Sequence, residues 1–263
     1  MALLSVTLLV SACSKPARQE SAGKPREVLR SADPPRASQP VDHHPAPQRP
    51  LSVVPKLYAV RTNEPVVALT FDDGPDPTNT PQILDLLVRY DAHATFFVLG
   101  TAAERYPGLV RRTAANGNEV GNHGWSHHRM TSLATSAVIE DIRRGSRQIT
   151  QLVDRRPDAL RPPYGAYNER VVKAANALGE TVVLWSIDTH DWANPPPSRI
   201  ARRILWTVRP GSIILLHDGG GPRASTIRAL PMILRGLRRR GYHVVPVKDL
   251  VRVGAAISQD PDT

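Results

Sequence analysis

From Val66 onward, short apolar runs alternate with stretches whose apolar residues recur at helical spacing. Residues 66–71 (VVALTF) read as a buried strand ending on Asp-Asp-Gly, and Ile83, Leu84, Leu87 and Val88 predict a helix over 80–90. Further strand-like runs fall at 93–99, 117–121, 181–187 (TVVLWSI), 211–216 (GSIILL) and 242–247. Helical patterns cover 101–115, stopped by Asn116-Gly117, then 133–153, 168–178, 198–207 with Ser198 as cap, and 225–240. Strands alternating with helices predict an α/β fold, a parallel sheet or barrel. No fixed-period repeat interrupts the pattern, so residues 57–253 read as one domain, followed by a tail at 254–263.

The start of the chain has a different texture. Residues 2–10 are almost wholly apolar and lead into Ser11-Ala12-Cys13, although no Lys or Arg precedes them. The run is too short for a membrane-spanning helix, which needs about 20 apolar residues. It resembles a bacterial lipoprotein signal over residues 1–13, in which Cys13 carries lipid. Residues 14–56 are polar and hold nine prolines up to Pro55. Such a segment cannot bury enough apolar surface to offset the entropy of ordering it, and it reads as a disordered, partly extended tether. The expected location is extracytoplasmic, anchored to the membrane through Cys13, with secretion as the alternative.

Composition narrows the classes. Cys13 is the single cysteine, which excludes a disulfide framework and a Cys-based metal site. A net charge of +10 predicts attraction to anionic surfaces such as wall polymers or lipid headgroups. Nucleic acid is not an expected partner, because aromatics are 5% and no helix-turn-helix or zinc-finger pattern occurs. The chain is expected to be a monomer.

Polar residues gather just after the apolar strands, the edge where α/β barrels place their sites. The first cluster is Thr70-Phe71-Asp72-Asp73-Gly74-Pro75. Adjacent strand residues face opposite ways, but a strand ending in Gly-Pro can twist and send both carboxylates to one pocket. Two close carboxylates repel unless a cation or base sits between them, so one can bind metal while the other handles a proton. The second cluster, Asn122 to His128, spaces His123 and His127 at i, i+4, so that both imidazoles can meet one metal from a helical turn or a tight loop. The Glu of a HExxH protease is absent, which excludes that chemistry. With Asp73 the two histidines form a His, His, carboxylate set that leaves positions open for water and substrate. The third cluster is Arg161-Pro162-Pro163-Tyr164-Gly165, where the prolines fix the turn and Arg161 can pair with a carboxylate. The fourth is Asp188-Thr189-His190-Asp191-Trp192 and the fifth Leu215-Leu216-His217-Asp218-Gly219. A His at a strand end is a candidate general acid, since its unperturbed pKa lies near ~6.5.

Taken in order, TFDDG at 70–74, HxxxH at 123–127, RPPYG at 161–165, DxxDW at 188–192 and LLHD at 215–218 resemble the polysaccharide deacetylase family, the NodB-homology domain of carbohydrate esterase family 4. The resemblance covers about 65 to 250. It implies a distorted (β/α) barrel of about seven strands and a divalent metal, zinc first, with cobalt, nickel or manganese as alternatives. It implies that Asp73, His123 and His127 hold the metal, that Asp72 is the general base and that Arg161 keeps it ionised. It implies that His217 is the general acid, oriented by Asp191. The Tyr164 backbone N–H would meet the oxyanion, and Trp192 and Leu215 would wall the acetyl group. The implied reaction is removal of N-acetyl groups from an extracellular polysaccharide such as peptidoglycan or a chitin-like poly-N-acetylglucosamine, with release of acetate. An O-acetyl-xylan esterase and a non-catalytic glycan-binding lipoprotein are the alternatives. Two positions depart from the family pattern: Gly124 replaces a Ser or Thr after the first metal His, and His128 replaces a Pro after the second. The expectation is a His loop without that hydroxyl's support, with His128 as a rival ligand to the preferred His127.

Overall fold

The structure is a computed structural model that describes residues 56–257. Cys13, the signal-like segment and the Pro-rich tether up to residue 55 lie outside the described residues, as do residues 258–263. In chain order the elements begin with β1 (Lys56–Leu57), β2 (Ala59–Arg61), β3 (Val66–Asp72), α1 (Asn79–Arg89), β4 (Thr95–Val98), α2 (Gly100–Arg105), α3 (Pro107–Ala115) and β5 (Glu119–Asn122). There follow α4 (Thr135–Val153), β6 (Ala159–Leu160), α5 (Glu169–Ala177), β7 (Thr181–Val183), β8 (Ile187–Asp188) and α6 (Pro197–Thr207). The last are β9 (Ile213–His217), α7 (Ala224–Arg239), β10 (His243–Val244), α8 (Val247–Leu250) and β11 (Ala255–Ile257).

The main sheet runs β1-β7-β6-β5-β4-β3-β9-β8, parallel throughout, and β10 adds a parallel pairing at the start of β3. That is more than the expected seven strands, because β1, β6, β8 and β10 are two-residue stubs. Pairs so short leave no apolar run to read. β3 is central and its six residues Val67–Asp72 are buried, as a strand covered by helices on a parallel sheet must be. The rings of Phe71 and Phe96 stack at 5.0 Å between neighbouring strands β3 and β4.

The run TVVLWSI is not one strand. β7 pairs with β6 and β1, while β8 pairs with β9 at the other edge of the sheet. Leu184 N–H donates to the Leu57 carbonyl and Ser186 N–H to that of Ile213. The three residues between β7 and β8 thus span the gap between the edges and curl the sheet into an open barrel. The helix expected over 101–115 is broken at Tyr106, which sits at φ −128°, ψ 57° because the following Pro107 disfavours the helical conformation there. Pro107 then opens α3 at a position where its missing N–H costs nothing. β11 lies in the stretch read as tail and pairs antiparallel with β2. Helices α1, α4, α5, α6 and α7 fall close to their predicted spans, although α6 starts at Pro197 so that Ser198 is inside it rather than its cap, and the short α8 is a helix that the pattern does not predict. α4 buries Val138, Ile142, Gly145, Ser146 and Ile149 at helical spacing, and Asn168 caps α5 by accepting from Val171 N–H at 3.1 Å. Among the described residues no helix is long and apolar enough to cross a membrane.

Candidate active site

All five sequence clusters come together at the C-terminal ends of β3, β5, β6, β8 and β9. A regular strand would send Asp72 and Asp73 to opposite faces. Asp73 adopts a left-handed φ of 72°, which ends the pleat. Both carboxylates then face His123: its Nε2 lies 3.3 Å from Asp73 Oδ1 and 4.0 Å from Asp72 Oδ2. The loop after β9 braces this turn, with the N–H groups of Asp218 and Gly219 donating to the Asp72 carbonyl at 3.0 and 3.2 Å. A Cβ at position 219 would lie 2.1 Å from the Asp73 carbonyl oxygen, so the close approach requires Gly219.

His123 and His127 meet through a loop rather than a helical turn, His127 at φ 63°. His127 Nε2 lies 3.1 Å from Asp73 Oδ1. His123 Nδ1 lies 2.6 Å from the Arg161 carbonyl. A carbonyl can only accept, which assigns the proton to Nδ1 and leaves the Nε2 lone pair facing Asp73. Asp73 Oδ1 is buried and receives no aligned N–H or O–H among the described residues. Lone pairs that converge in this way are stabilised by a cation between them. The three ligand atoms lie within 4.8 Å of one another, so the pocket fits a metal ion held by two nitrogens and a carboxylate. Burial works to raise the Asp73 pKa, but positive charge at the His123 and His127 positions outweighs it and holds the carboxyl well below the usual range, the same charge that a bound cation would supply.

The two departures in the His loop now have a physical account. Gly124 sits at φ +78°, and a Cβ there would be 2.5 Å from Asp141 Oδ1 and 2.7 Å from Met130 Cε. A side chain here would take a strained left-handed backbone and push back the Asp141 carboxylate and the Met130 methyl. Backbone bonds brace the loop instead: Gly124 N–H donates to Asn122 Oδ1 and Trp125 N–H to Asp141 Oδ1, both at 2.9 Å. His128 turns away from the trio, its Nδ1 3.0 Å from Ser126 Oγ and 3.9 Å from Asp141 Oδ2.

Arg161 is fully buried and satisfies its guanidinium completely enough to act as a fixed post. Nη1 donates to Asp72 Oδ1 at 2.8 Å and to Thr70 Oγ1 at 2.6 Å. Nε donates to the Val183 carbonyl and Nη2 to that of Leu184, at 3.1 and 2.8 Å. The Val183 carbonyl ends β7 and the Leu184 carbonyl opens the segment that spans the barrel gap, so the gap and the Asp72 carboxylate are set by one side chain. Burial lowers the Arg161 pKa and Asp72 opposes that shift.

His217 is the register partner of Asp72 on the neighbouring strand. Its Nδ1 lies 2.7 Å from Asp191 Oδ1, and Asp191 Oδ2 accepts from the His217 N–H and from Thr226 Oγ1. Burial works to lower the His217 pKa, but the Asp191 hydrogen bond and charge raise it more, with smaller contributions from Asp72 and Asp73. Leu215, two residues earlier on the same face of β9, is 4% exposed. Tyr164 and Trp192 stand at the rim, 60% and 54% exposed. Tyr164 takes a left-handed φ of 62° and its ring lies 4.5 Å from that of His127.

Four supporting residues carried no role in the sequence reading. Asn122 Nδ2 donates to Glu180 Oε2 at 3.0 Å while its Oδ1 holds Gly124. Burial pushes the Glu180 carboxyl up to about 8, against hydrogen bonds from Ser146 and Asn122. Asp218 accepts from Thr80 Oγ1, and burial pushes its carboxyl up to about 7. Asp141 braces the His loop from α4. Asn122 and Asp218 sit inside the quoted motifs, but Glu180 and Asp141 are distant in sequence and lack any local signal.

A parallel α/β open barrel with a His, His, Asp pocket and a flanking Asp and His defines a metal-site protein of the hydrolase type. The sequence model of the polysaccharide deacetylase family matches residues 59–183. A peptidoglycan-N-acetylglucosamine deacetylase of Bacillus cereus is 42% identical over 197 residues, covering 74% of this chain and 92% of that one. A chitooligosaccharide deacetylase of a Bradyrhizobium species is 37% identical over 213 residues, covering 76% of this chain and 97% of the other. A crystal structure of a peptidoglycan N-acetylglucosamine deacetylase, in complex with 4-naphthalen-1-yl-N-oxidanyl-benzamide, is similar with TM-score 0.74 and 32% identity, covering 81% of this chain and 100% of that one. The chain belongs to the polysaccharide deacetylase family, carbohydrate esterase family 4.

Proposed function

We propose that the chain is a metal-dependent deacetylase that removes N-acetyl groups from an extracellular glycan, peptidoglycan first, and releases acetate. The observation that carries this reading is the pairing in register of Asp72 and His217 beside the Asp73, His123, His127 trio, each anchored by a separate buried partner. A divalent metal held by the trio, zinc by preference with cobalt, nickel or manganese as alternatives, supplies a Lewis acid that lowers the pKa of a water toward ~7 and polarises a carbonyl. Asp72 has Oδ1 fixed by Arg161, which leaves Oδ2 to take a proton from the attacking water. The water oxygen forms the new bond to the acetyl carbon as the carbon–nitrogen bond breaks. His217 has Nδ1 fixed by Asp191, which leaves Nε2 to deliver a proton to the departing nitrogen. The products are acetate and a free amino sugar. The Tyr164 N–H is assigned to the developing oxyanion, and Leu215 and Trp192 to the walls around the acetyl methyl.

The location is part of the same proposal and rests on sequence alone: a short apolar run before Cys13 and a Pro-rich tether after it support a lipid-anchored extracytoplasmic enzyme. Radioactive fatty acid should label the wild type and not Cys13→Ala. The deciding experiment for activity is acetate release from peptidoglycan, chitooligosaccharides, poly-N-acetylglucosamine and acetyl-xylan, with and without a chelator. Chelator-sensitive release from an N-acetylated glycan is expected. Release only from acetyl-xylan moves the reading to the esterase, and no release with metal supplied moves it to a glycan-binding protein.

A further inference from the structure

Helix α6 carries a face that the proposed chemistry does not use. Ile200, Ala201 and Ile204 are its buried stripe. On the other side Arg199, Arg202, Arg203 and Trp206 follow i, i+3, i+4, i+7 spacing and are all exposed. The helix contains no Asp or Glu. Among the described residues no carboxylate lies within ion-pair distance of these three arginines. Trp206 is 72% exposed, with the Arg202 guanidinium 5.5 Å from its ring centre. An exposed indole edged by guanidinia that have no carboxylate partner, with Arg203 donating only to the Asp188 carbonyl, presents a flat apolar face rimmed by positive charge, and it suits a flat apolar face that carries anions.

The position of this face says more than its composition. The same four residues line a cleft of about 570 Å³ together with Thr189 and His190. Those two residues directly precede Asp191, which holds His217. Arg203 also lines a larger cavity of about 1020 Å³, together with Tyr164, Trp185 and Asp188 among others. Whatever fills the α6 cleft therefore lies against the loop that carries the acid's partner. A flat membrane pressed on this face would cover that loop, whereas a continuing glycan strand would extend along it.

We propose that the α6 cleft is a subsite for a carboxylate-bearing stretch of the glycan strand, with a sugar ring on Trp206 and carboxylates on Arg199 and Arg202. The proposal rests on the deacetylase reading and narrows its substrate to anionic strands. On peptidoglycan the carboxylates come from the peptide stems or, on sugars that have lost the stem, from the freed lactyl ethers, and both present the same chemistry to a guanidinium.

The test uses the full-length, metal-loaded protein and the variants Arg199→Gln/Arg202→Gln and Trp206→Ala. Acetate release is measured on peptidoglycan strands, on the same strands after carbodiimide amidation, and on neutral chitooligosaccharides of equal length. The double variant should lose about tenfold in kcat/KM on native strands, through KM, with the loss shrinking as salt rises. It should match the wild type on amidated strands and chitooligosaccharides. Strands stripped of stems by an amidase carry freed lactyl carboxylates in place of the stems: a loss that persists shows that lactyl carboxylates also fill the cleft, and one that vanishes assigns it to the stems. Equal losses on all substrates, or none on native strands, overturn the proposal. So does a variant that keeps its glycan kinetics but no longer sediments with phosphatidylglycerol vesicles. If the wild type releases no acetate from any glycan, the deacetylase reading fails, and sedimentation with native against amidated sacculi still reads the cleft: a variant-dependent loss on native sacculi alone supports it, and any other pattern overturns it.

Discussion

Asp72→Asn separates the buried-pair role of the Asp72 carboxylate, which is to balance a buried cation, from the proposed one, which is to move a proton. Arg161 is 0% exposed and the Asp72 side chain 5%, with 2.8 Å between Nη1 and Oδ1. Asparagine preserves the shape and one acceptor but removes the carboxylate. Deleting one partner of a buried pair costs about 3–5 kcal/mol, because the other charge is left uncompensated. Here the amide oxygen still accepts from Nη1, and Thr70 Oγ1 and the Val183 and Leu184 carbonyls still bind the guanidinium. The expected loss is therefore toward the lower end, about 2–3 kcal/mol. For a domain of this size that is a fall in Tm of roughly 4–12 °C. The trio of Asp73, His123 and His127 is untouched, so metal content should stay at the wild-type level, while loss of the base should cost about 10²–10⁴ in turnover. Thermal melts of both proteins in chelator remove the metal's own contribution, and acetate release and metal content are then measured on the loaded forms. An unchanged melt refutes the buried-pair reasoning. Turnover within a few-fold of wild type places the base elsewhere.

Three further variants probe the surroundings. As the acid, His217 must carry its proton, and its raised pKa should hold the descending limb of kcat/KM above the ordinary ~6.5. Asp191→Asn removes the main cause of that rise, so the limb should move to lower pH, and an unmoved limb would remove His217 from the role. By linkage, the His217–Asp191 pair stabilises the fold fully below ~6.5 and loses that contribution as pH rises through the raised value, which pH-dependent melts of the two proteins should show. Gly124→Ser places a Cβ at φ +78° against Asp141 and should cost about 1–3 kcal/mol and loosen metal retention in dialysis; wild-type stability in this variant would contradict the packing argument. Glu180 keeps its proton up to about 8 in the fold against 4.5 as its ordinary value, so the folded state binds more protons across that window and stability falls as pH rises through it. Glu180→Gln should flatten that slope, and urea titrations at pH 5 and pH 8.5 would reveal an unchanged slope if another group is responsible.

How much of this was legible beforehand can be traced through particular residues. The central strands announced themselves as short apolar runs, because a strand buried on both faces has no polar alternation to hide it. The chemistry was legible for a related reason. Asp72, Asp73, His123, His127, Arg161, Asp191 and His217 sit on or just past strand ends, where the main chain must change direction and functional side chains collect. What the one-dimensional pattern could not carry was anything set by packing across the barrel. TVVLWSI satisfies the strand pattern throughout, yet it serves both edges of the sheet, because its middle must span a gap that exists only when the sheet curls. Gly124 looked like a lost hydroxyl and instead serves a left-handed turn tucked against Asp141 and Met130. Glu180 carries no local signal in the sequence and is a buried support for Asn122.

The sequence by itself determined the α/β class, the order of the motifs and the identity of the groups able to hold a metal or move a proton, because local periodicity and residue chemistry are properties of the chain. Only the tertiary structure decided that Asp73 turns back beside Asp72, that His217 lands in register with Asp72, and that a row of arginines and Trp206 on α6 borders the loop holding Asp191. Those are distances between residues far apart in the chain. They are set by strand register and helix packing, which emerge when the core closes.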